Sequence, residues 1–383
     1  MKAQSSLTTV LACLLTGIAT AQTTHVVGPG ALANIGAAMA VATAGDVVLV
    51  HPGNYPSFNA TRGVTIRAVT NGTVVASGTA NIPAGETLHL VDLVLNRFFV
   101  SSGACSIDRC RFPFPAGSAT WGIVLQVTNA RVHLQQCEVG NAGEPYLVFL
   151  TGLAGLFATN STVSAVDCTF RSPDAVTWQG VPGGPAIDLV DSTFHGSKIV
   201  ATGGDGRLPS PLPGPAIRAV NSTVWISDST LTGGMAVSGP GSPQRACPVV
   251  ATSGRLARCT LVPATCAPPG VPTTGPLLGV HRVAPLQSGS SFQLDFQSVP
   301  NDYVGVFASF ALNHYAFPEL EQLVALDLAT LLPLSVLATN GSGFASGSWA
   351  LPPGTANLNL WLQAVAPGAL PLKVSPVVGG VVR

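Results

Sequence analysis

Residues 163–170 read VSAVDCTF, and residues 224–231 read VWISDSTL; between and around them the same pattern returns with different side chains. It is an apolar residue, any residue, an apolar residue, two of any kind, a small residue or Cys, any residue, and an apolar one. VHLQQCEV from Val132, CSIDRCRF from Cys105, LHLVDLVL from Leu88, IDLVDSTF from Ile187, GRLARCTL from Gly254 and VTIRAV near Val64 belong to the same series. Apolar alternation followed by a two-residue break describes a short strand that turns a corner. A pattern that recurs every few tens of residues describes a solenoid. Anchored on Cys137, Cys168 and Ser229, the residue eight positions earlier is Asn129, Asn160 and Asn221 in turn. Asn tolerates left-handed backbone, so a stacked Asn column is what a tight coil corner selects.

The flanking segments fit that frame. Residues 31–43 are alanine-rich and predict a helix, followed by AGDVVLVHPGNY (44–55) and GVTIRAV (63–69). A solenoid's open end exposes unpaired backbone and apolar interior, and a helix laid over it protects both. With a capping helix, a strand with GD before it and PGxY after it, and repeated coils in this order, the chain resembles the pectin lyase-like superfamily of right-handed parallel β-helices over about Thr24 to Leu261. That resemblance implies an all-β fold, a right-handed parallel β-helix.

The boundaries follow from composition. Met1 to Ala21 read as an export signal, with Lys2, an apolar core from Leu7 to Ile18 and small residues before Gln22. The β-helix then occupies 22–262. A Pro-rich passage over 263–276 is a linker or stiff junction. Residues 277–383 alternate in short strands (SFQLDFQ, YVGVFASF, LPLSVLA, LNLWLQAVA) and predict a small antiparallel β-sandwich. This last part looks like the C-terminal β-modules of many exported bacterial proteins. A secreted or cell-surface location is the expectation.

Charged residues make up 9% of the chain and the formal net charge is zero. That balance argues against nucleic acid or an anionic membrane surface as partner, and no stretch after the signal is long and apolar enough to span a bilayer. Of the eight Cys, Cys13 falls in the signal, which leaves seven, an odd number. Cys247 with Cys259 or Cys266 is the expected disulfide in an exported chain; the others recur at the template's small position and suit reduced, buried packing or cross-coil disulfides. No CxxC is present and the His are scattered, so no zinc site is expected.

β-Helix enzymes work on long polysaccharides, and the familiar members cluster Asp with Arg or Lys. Here no adjacent Asp pair and no Gly-His-Gly run occurs. VWISDSTL resembles the VWIDH strand of pectate lyases, but Ser227 and Asp228 stand in place of its Asp-His. Two registers remain open. In one, Asp167, Asp191 and Asp228 stack on adjacent coils, where like charges favour a bound calcium ion or an outward, solvated row. In the other, GPAIDLVDST (184–193) aligns with GPAIRAVNST (214–223), so that Asp191 joins the Asn column and Asp188 sits beside Arg218, as an ion pair or as a carboxylate and guanidinium offered to a sugar acid. His195, Lys198, Asp205, Arg207 and Trp225 lie near, so Asp188, Asp191, Arg218, Asp228 and His195 are the catalytic candidates, and Lys198, Asp205, Arg207 and Trp225 the ligand-binding ones. Trp121 and Trp178 are further candidate platforms for sugar rings, whereas Trp349 and Trp361 read as sandwich core. Three functions remain: an exported protein binding a polysaccharide or cell-surface glycan, a lyase acting on an acidic polysaccharide, and a structural or adhesive envelope component.

Overall fold

The computed structural model describes residues 22–69, 74–114, 123–140, 154–174, 182–207, 212–237, 244–251, 253–264, 266, 277–282, 284, 286–315, 324–366 and 372–382. Residues 1–21, read above as an export signal, Trp121, Trp178 and most of the Pro-rich passage lie outside them. The larger part is a right-handed parallel β-helix whose coils present three faces. The first face carries Ile123–Thr128, Ala154–Thr159, Ile187–Val190, Ile217–Val220 and Val249–Val250. The second carries Thr87–Val91, the end of Val94–Asp108, Ala130–Gln135, Thr162–Val166, Thr193–Ser197, Thr223–Ser227 and Ser253–Ala257. Arg111–Phe112, Glu138–Val139, Thr169–Arg171, Val200–Thr202, Thr230–Thr232 and Thr260–Val262 form the third. All pair in parallel, each strand with its equivalents one coil away.

Two corners define the register. Asn129, Asn160, Asp191 and Asn221 turn the chain from the first face to the second with φ of 49°, 47°, 49° and 50°. Asp191 therefore belongs to the Asn column, as the second alignment has it. At the corner between the second and third faces stand Arg109, Gln136, Asp167, Lys198, Asp228 and Arg258, again left-handed, with φ of 51° to 53°. Asn129, Asn160 and Asp191 at the first corner and Arg109, Gln136, Asp167, Lys198 and Asp228 at the second donate their amides to the next coil, as Asn160 does to the Val190 carbonyl at 3.1 Å.

The residue after each corner has its own task. Ser161, Ser192 and Ser222 each donate a hydroxyl to the carbonyl two residues earlier, at 2.7 Å, while Ala130, Ser161 and Ser192 donate their amides to the Ser hydroxyl of the next coil. At the second corner Cys110, Cys137, Cys168, Ser229 and Cys259 take that place, and Cys137 and Cys168 donate their thiols to the carbonyls of Gln135 and Val166 at 3.2 Å. The template's small position thus satisfies backbone groups that the sharp corner would leave without partners. Cys105 departs from the expected column: it is an interior side chain between Leu88 and Val132. Cys247 pairs with Cys266, and Cys105, Cys110, Cys137, Cys168 and Cys259 are free thiols.

Inward residues build one continuous core of Leu, Ile, Val, Phe and Ala from Val27 to Leu256. Where Phe194 fills the interior, the next inward position is Gly196, whose added Cβ would come within 2.9 Å of the Phe194 ring. At the third bend, segments leaving and rejoining the coil stack backbone on backbone through Gly184, Gly204, Gly214 and Gly234, with amide-to-carbonyl distances of 2.9 Å. A Cβ on Gly214 would meet the Gly184 carbonyl at 2.1 Å, so this stack admits glycine alone. The helix over the N-terminal end spans Ile35–Val41, shorter than the alanine-rich run: Asn34 caps it by accepting the Ala37 amide at 2.9 Å, and the chain turns extended at Ala42. Ile35, Ala38 and Met39 are its buried side chains.

The C-terminal part is the expected antiparallel sandwich. Gly279–Arg282, Ser291–Gln297 and Phe344–Ala350 form one sheet; Leu332–Ala338, Tyr303–Ser309 and Asn359–Ala366, with Lys373–Val374 and Val378–Val381, form the other. Phe292, Leu294, Phe296, Val304, Val306 and Leu362 fill the space between them. Trp349 stacks on Phe292 at the edge of this core. Trp361 is fully buried elsewhere, against the second face of the β-helix, where its ring meets those of His89 and His133. The sandwich lies along that face. Gly379 donates its amide to Gln135 Oε1 at 2.9 Å, and Arg282 reaches Asp108 at 3.5 Å.

Candidate ligand-binding face

With the sandwich on the second face, the first face is the long surface that lies beside the Gly-lined third bend. Its outward side chains fall into columns, because successive coils pair residue for residue. Three positions before each first-corner residue stand Gln126, Phe157, Asp188 and Arg218, and Phe99 precedes them in register. Five coils therefore contribute one line of side chains parallel to the solenoid axis, at a spacing of about 4.8 Å per coil. Phe99 and Phe157 are half-buried and two rungs apart, so their rings are about 10 Å from each other. The guanidinium of Arg97 lies over the Phe99 ring, 4.1 Å from its centre.

Asp188 and Arg218 are adjacent, as the second alignment predicts, and form a two-pronged pair: Nε to Oδ1 at 2.8 Å and Nη2 to Oδ2 at 2.6 Å. The Asp188 side chain is 3% exposed, whereas the Arg218 side chain is 46% exposed. Hydrogen bonding to Asp188 raises the guanidinium's pKa further above its usual value. Both carboxylate oxygens are engaged, so Asp188 is held as a counter-ion.

The remaining sequence candidates are spread around the solenoid. Asp191 is exposed at the first corner, beside this face. At the second corner Asp167 and Asp228 are separated by Lys198, one rung from each, because Asp191 is not in their column; three stacked carboxylates do not form. Asp228 is paired with Arg258, Nη2 to Oδ2 at 2.8 Å. Among the described residues no group of three or more His, Cys, Asp or Glu is placed to hold a metal ion. His195 is buried on the second face and Trp225 is its half-buried neighbour one coil on. Asp205 lies at the third bend, where its Oδ1 accepts the Met235 amide at 2.6 Å, and Arg207 is in the short strand Gly206–Arg207 that pairs with Ala236–Val237. Asp188 and Arg218 are thus brought together on one face, with Asp191 at its rim, while His195, Trp225, Lys198, Asp228, Asp205 and Arg207 stand on other sides.

Phe99, Gln126 and Phe157 were not among the candidates. They become visible once the corner residues are aligned, since every member from Gln126 onward lies three positions before an Asn or Asp of the first corner. Comparison of the chain with protein-family models, curated proteins and solved structures finds nothing that matches.

Proposed function

We propose that the protein binds an extracellular polysaccharide lengthwise along the first face of the β-helix. The observation that carries this reading is the register-aligned column Phe99, Gln126, Phe157, Asp188, Arg218. A repeating polymer meets repeating side chains there. The two rings, about 10 Å apart, suit stacking under sugar rings along a chain, and Gln126 offers an amide donor and acceptor between them. The exposed guanidinium of Arg218 adds donors for hydroxyl or carboxylate groups.

Binding without turnover fits this surface better than lyase chemistry. A lyase needs a base free to take a proton, and Asp188 is committed to Arg218 through both oxygens. The reading of residues 1–21 as an export signal and the Cys247–Cys266 disulfide are compatible with work outside the cell.

The test incubates the mature protein with a panel of neutral and acidic polysaccharides, with and without calcium. Retention on insoluble or immobilised polymer and the appearance of unsaturated products are followed together. Binding without products, weakened about tenfold or more in Phe157→Ala, is the expected result. Unsaturated products would establish the lyase reading instead, and no binding to any polymer would leave a structural envelope role.

A further inference from the structure

Four positions after Asn129, Asn160, Asp191 and Asn221 stand His133, Ser164, His195 and Trp225, and with His89 and Ser106 ahead of them in register they form another outward column on the second face, each one rung from the next. Histidine alternates with serine over five coils. All five side chains are buried, His89 at 5%, His133 at 4% and His195 at 6% exposure, although they point out of the solenoid. The sandwich covers them. Trp361 lies against His89 with ring centres 5.9 Å apart and meets His133 edge-on at 5.3 Å. Along the same seam Ser197 donates its hydroxyl to the Val280 carbonyl at 3.4 Å, and Val166 joins the sandwich core.

A junction meant to be permanent needs only apolar contact; this one buries three imidazoles, and at His89 a proton is disfavoured by burial. Of the charged groups on the surrounding strands, Arg67, Arg131 and Arg255 belong to the second face, and the sandwich strand Gly279–Arg282 brings Arg282. Asp108 is the carboxylate beside the row, and it is bound by Arg109 and Arg282. Burial beneath the sandwich strips an added proton of water, and at His89 that desolvation disfavours the charged ring. We propose that the histidine row is an acid-operated latch: at neutral pH it holds the sandwich on the β-helix, and its protonation in acid lets the sandwich lift while both folds persist.

His89 supports the sign of the effect. Its Nδ1 has no hydrogen-bond partner among the described residues, and burial holds its pKa down at about 4, against 6.5 when free. A histidine that must be neutral when docked leaves docking unaffected above its free pKa. Below it, each pH unit weakens docking tenfold through His89 alone, to a limit of about 300-fold near pH 4.

The full chain tests this by small-angle scattering from pH 7.5 to 4, with far-ultraviolet circular dichroism on the same samples. In the wild type the radius of gyration is expected to rise between about pH 6 and 4 with an unchanged β spectrum. His89→Phe, which keeps the ring contact with Trp361 but cannot titrate, and the double variant His89→Phe/His133→Phe should open at lower pH. His89→Gln serves as a second neutral replacement should the aromatic variants fold poorly. A radius constant down to pH 4, the same opening pH in wild type and neutral variants, or loss of the β spectrum together with opening would each overturn the latch.

Discussion

The backbone amide of Ser161 donates to the hydroxyl of Ser192, 3.1 Å away in the next coil, and that hydroxyl donates in turn to the Val190 carbonyl at 2.7 Å. The second corner repeats the arrangement in sulfur, with the Cys137 amide on Cys168 Sγ at 3.4 Å and the Cys168 thiol on the Val166 carbonyl at 3.2 Å. Hydroxyl and thiol are interchangeable here because each is a small donor-acceptor placed just past a left-handed residue. Cys168→Ser should therefore change stability by less than about 1 kcal/mol, whereas Cys168→Val strands an amide and a carbonyl and should cost about 1–3 kcal/mol. Urea unfolding of the two variants measures the difference.

The same geometry makes the thiols inert. Cys105, Cys110 and Cys168 are buried in the interior, and burial pushes each thiol well above the ordinary range; Cys259, less enclosed, is raised to about 11. Thiolate is the reactive form. In native buffer at pH 8, iodoacetamide should leave Cys105, Cys110, Cys137 and Cys168 unlabelled and modify Cys259 slowly, whereas guanidinium should expose all five. Mass spectrometry of tryptic peptides reads the outcome.

Asp46 closes the turn after the capping helix. Burial alone would raise its carboxyl, but the Thr43 and Thr23 amides, the Thr43 hydroxyl and His25 outweigh it and hold the pKa at about 2, below the usual 3.8. A carboxylate lowered in the folded state stabilises fully above its unfolded pKa, and that contribution disappears as pH falls from about 4 through 2. Asp46→Asn should lower the melting temperature at pH 7 and flatten its decline between pH 4 and 2, as followed by circular dichroism.

Asp188 is buried beneath a guanidinium that is half in water. Arg218→Leu alone leaves that carboxylate enclosed without its partner and should cost about 3 kcal/mol, while Asp188→Leu/Arg218→Leu should recover most of the loss. A double-mutant cycle in urea reports the coupling.

The coil period and the first corner were legible because a left-handed position accepts few side chains, and Asn129, Asn160 and Asn221 mark it. Register across residues 191–193 was ambiguous for a physical reason. Asp191-Ser192-Thr193 at the first corner and Asp228-Ser229-Thr230 at the second use one solution, a left-handed polar residue followed by a small donor-acceptor, so local pattern cannot tell the corners apart. Only the stacking distance along the chain, 30 or 31 residues from Ser161 to Ser192 to Ser222, separates them. The histidines looked scattered because they are far apart in sequence; His89, His133 and His195 share a column only after the coils are aligned. Burial of that column under the sandwich left no local mark, since it depends on how two surfaces far apart in sequence meet. The Asp188–Arg218 pair, by contrast, was written in the match of GPAIDLVDST to GPAIRAVNST.

Oxidative trapping of paired cysteines tests the coil register most directly. Thr159 and Val190 are aligned neighbours on the first face, and Val220 lies one rung beyond. Neighbouring rungs fall within disulfide reach, and alternate rungs, about 10 Å apart, do not. Thr159→Cys/Val190→Cys should cross-link rapidly in the folded protein while Thr159→Cys/Val220→Cys stays reduced. Cross-linking of the second pair in preference to the first would contradict the stacked-coil architecture and the ligand column built on it.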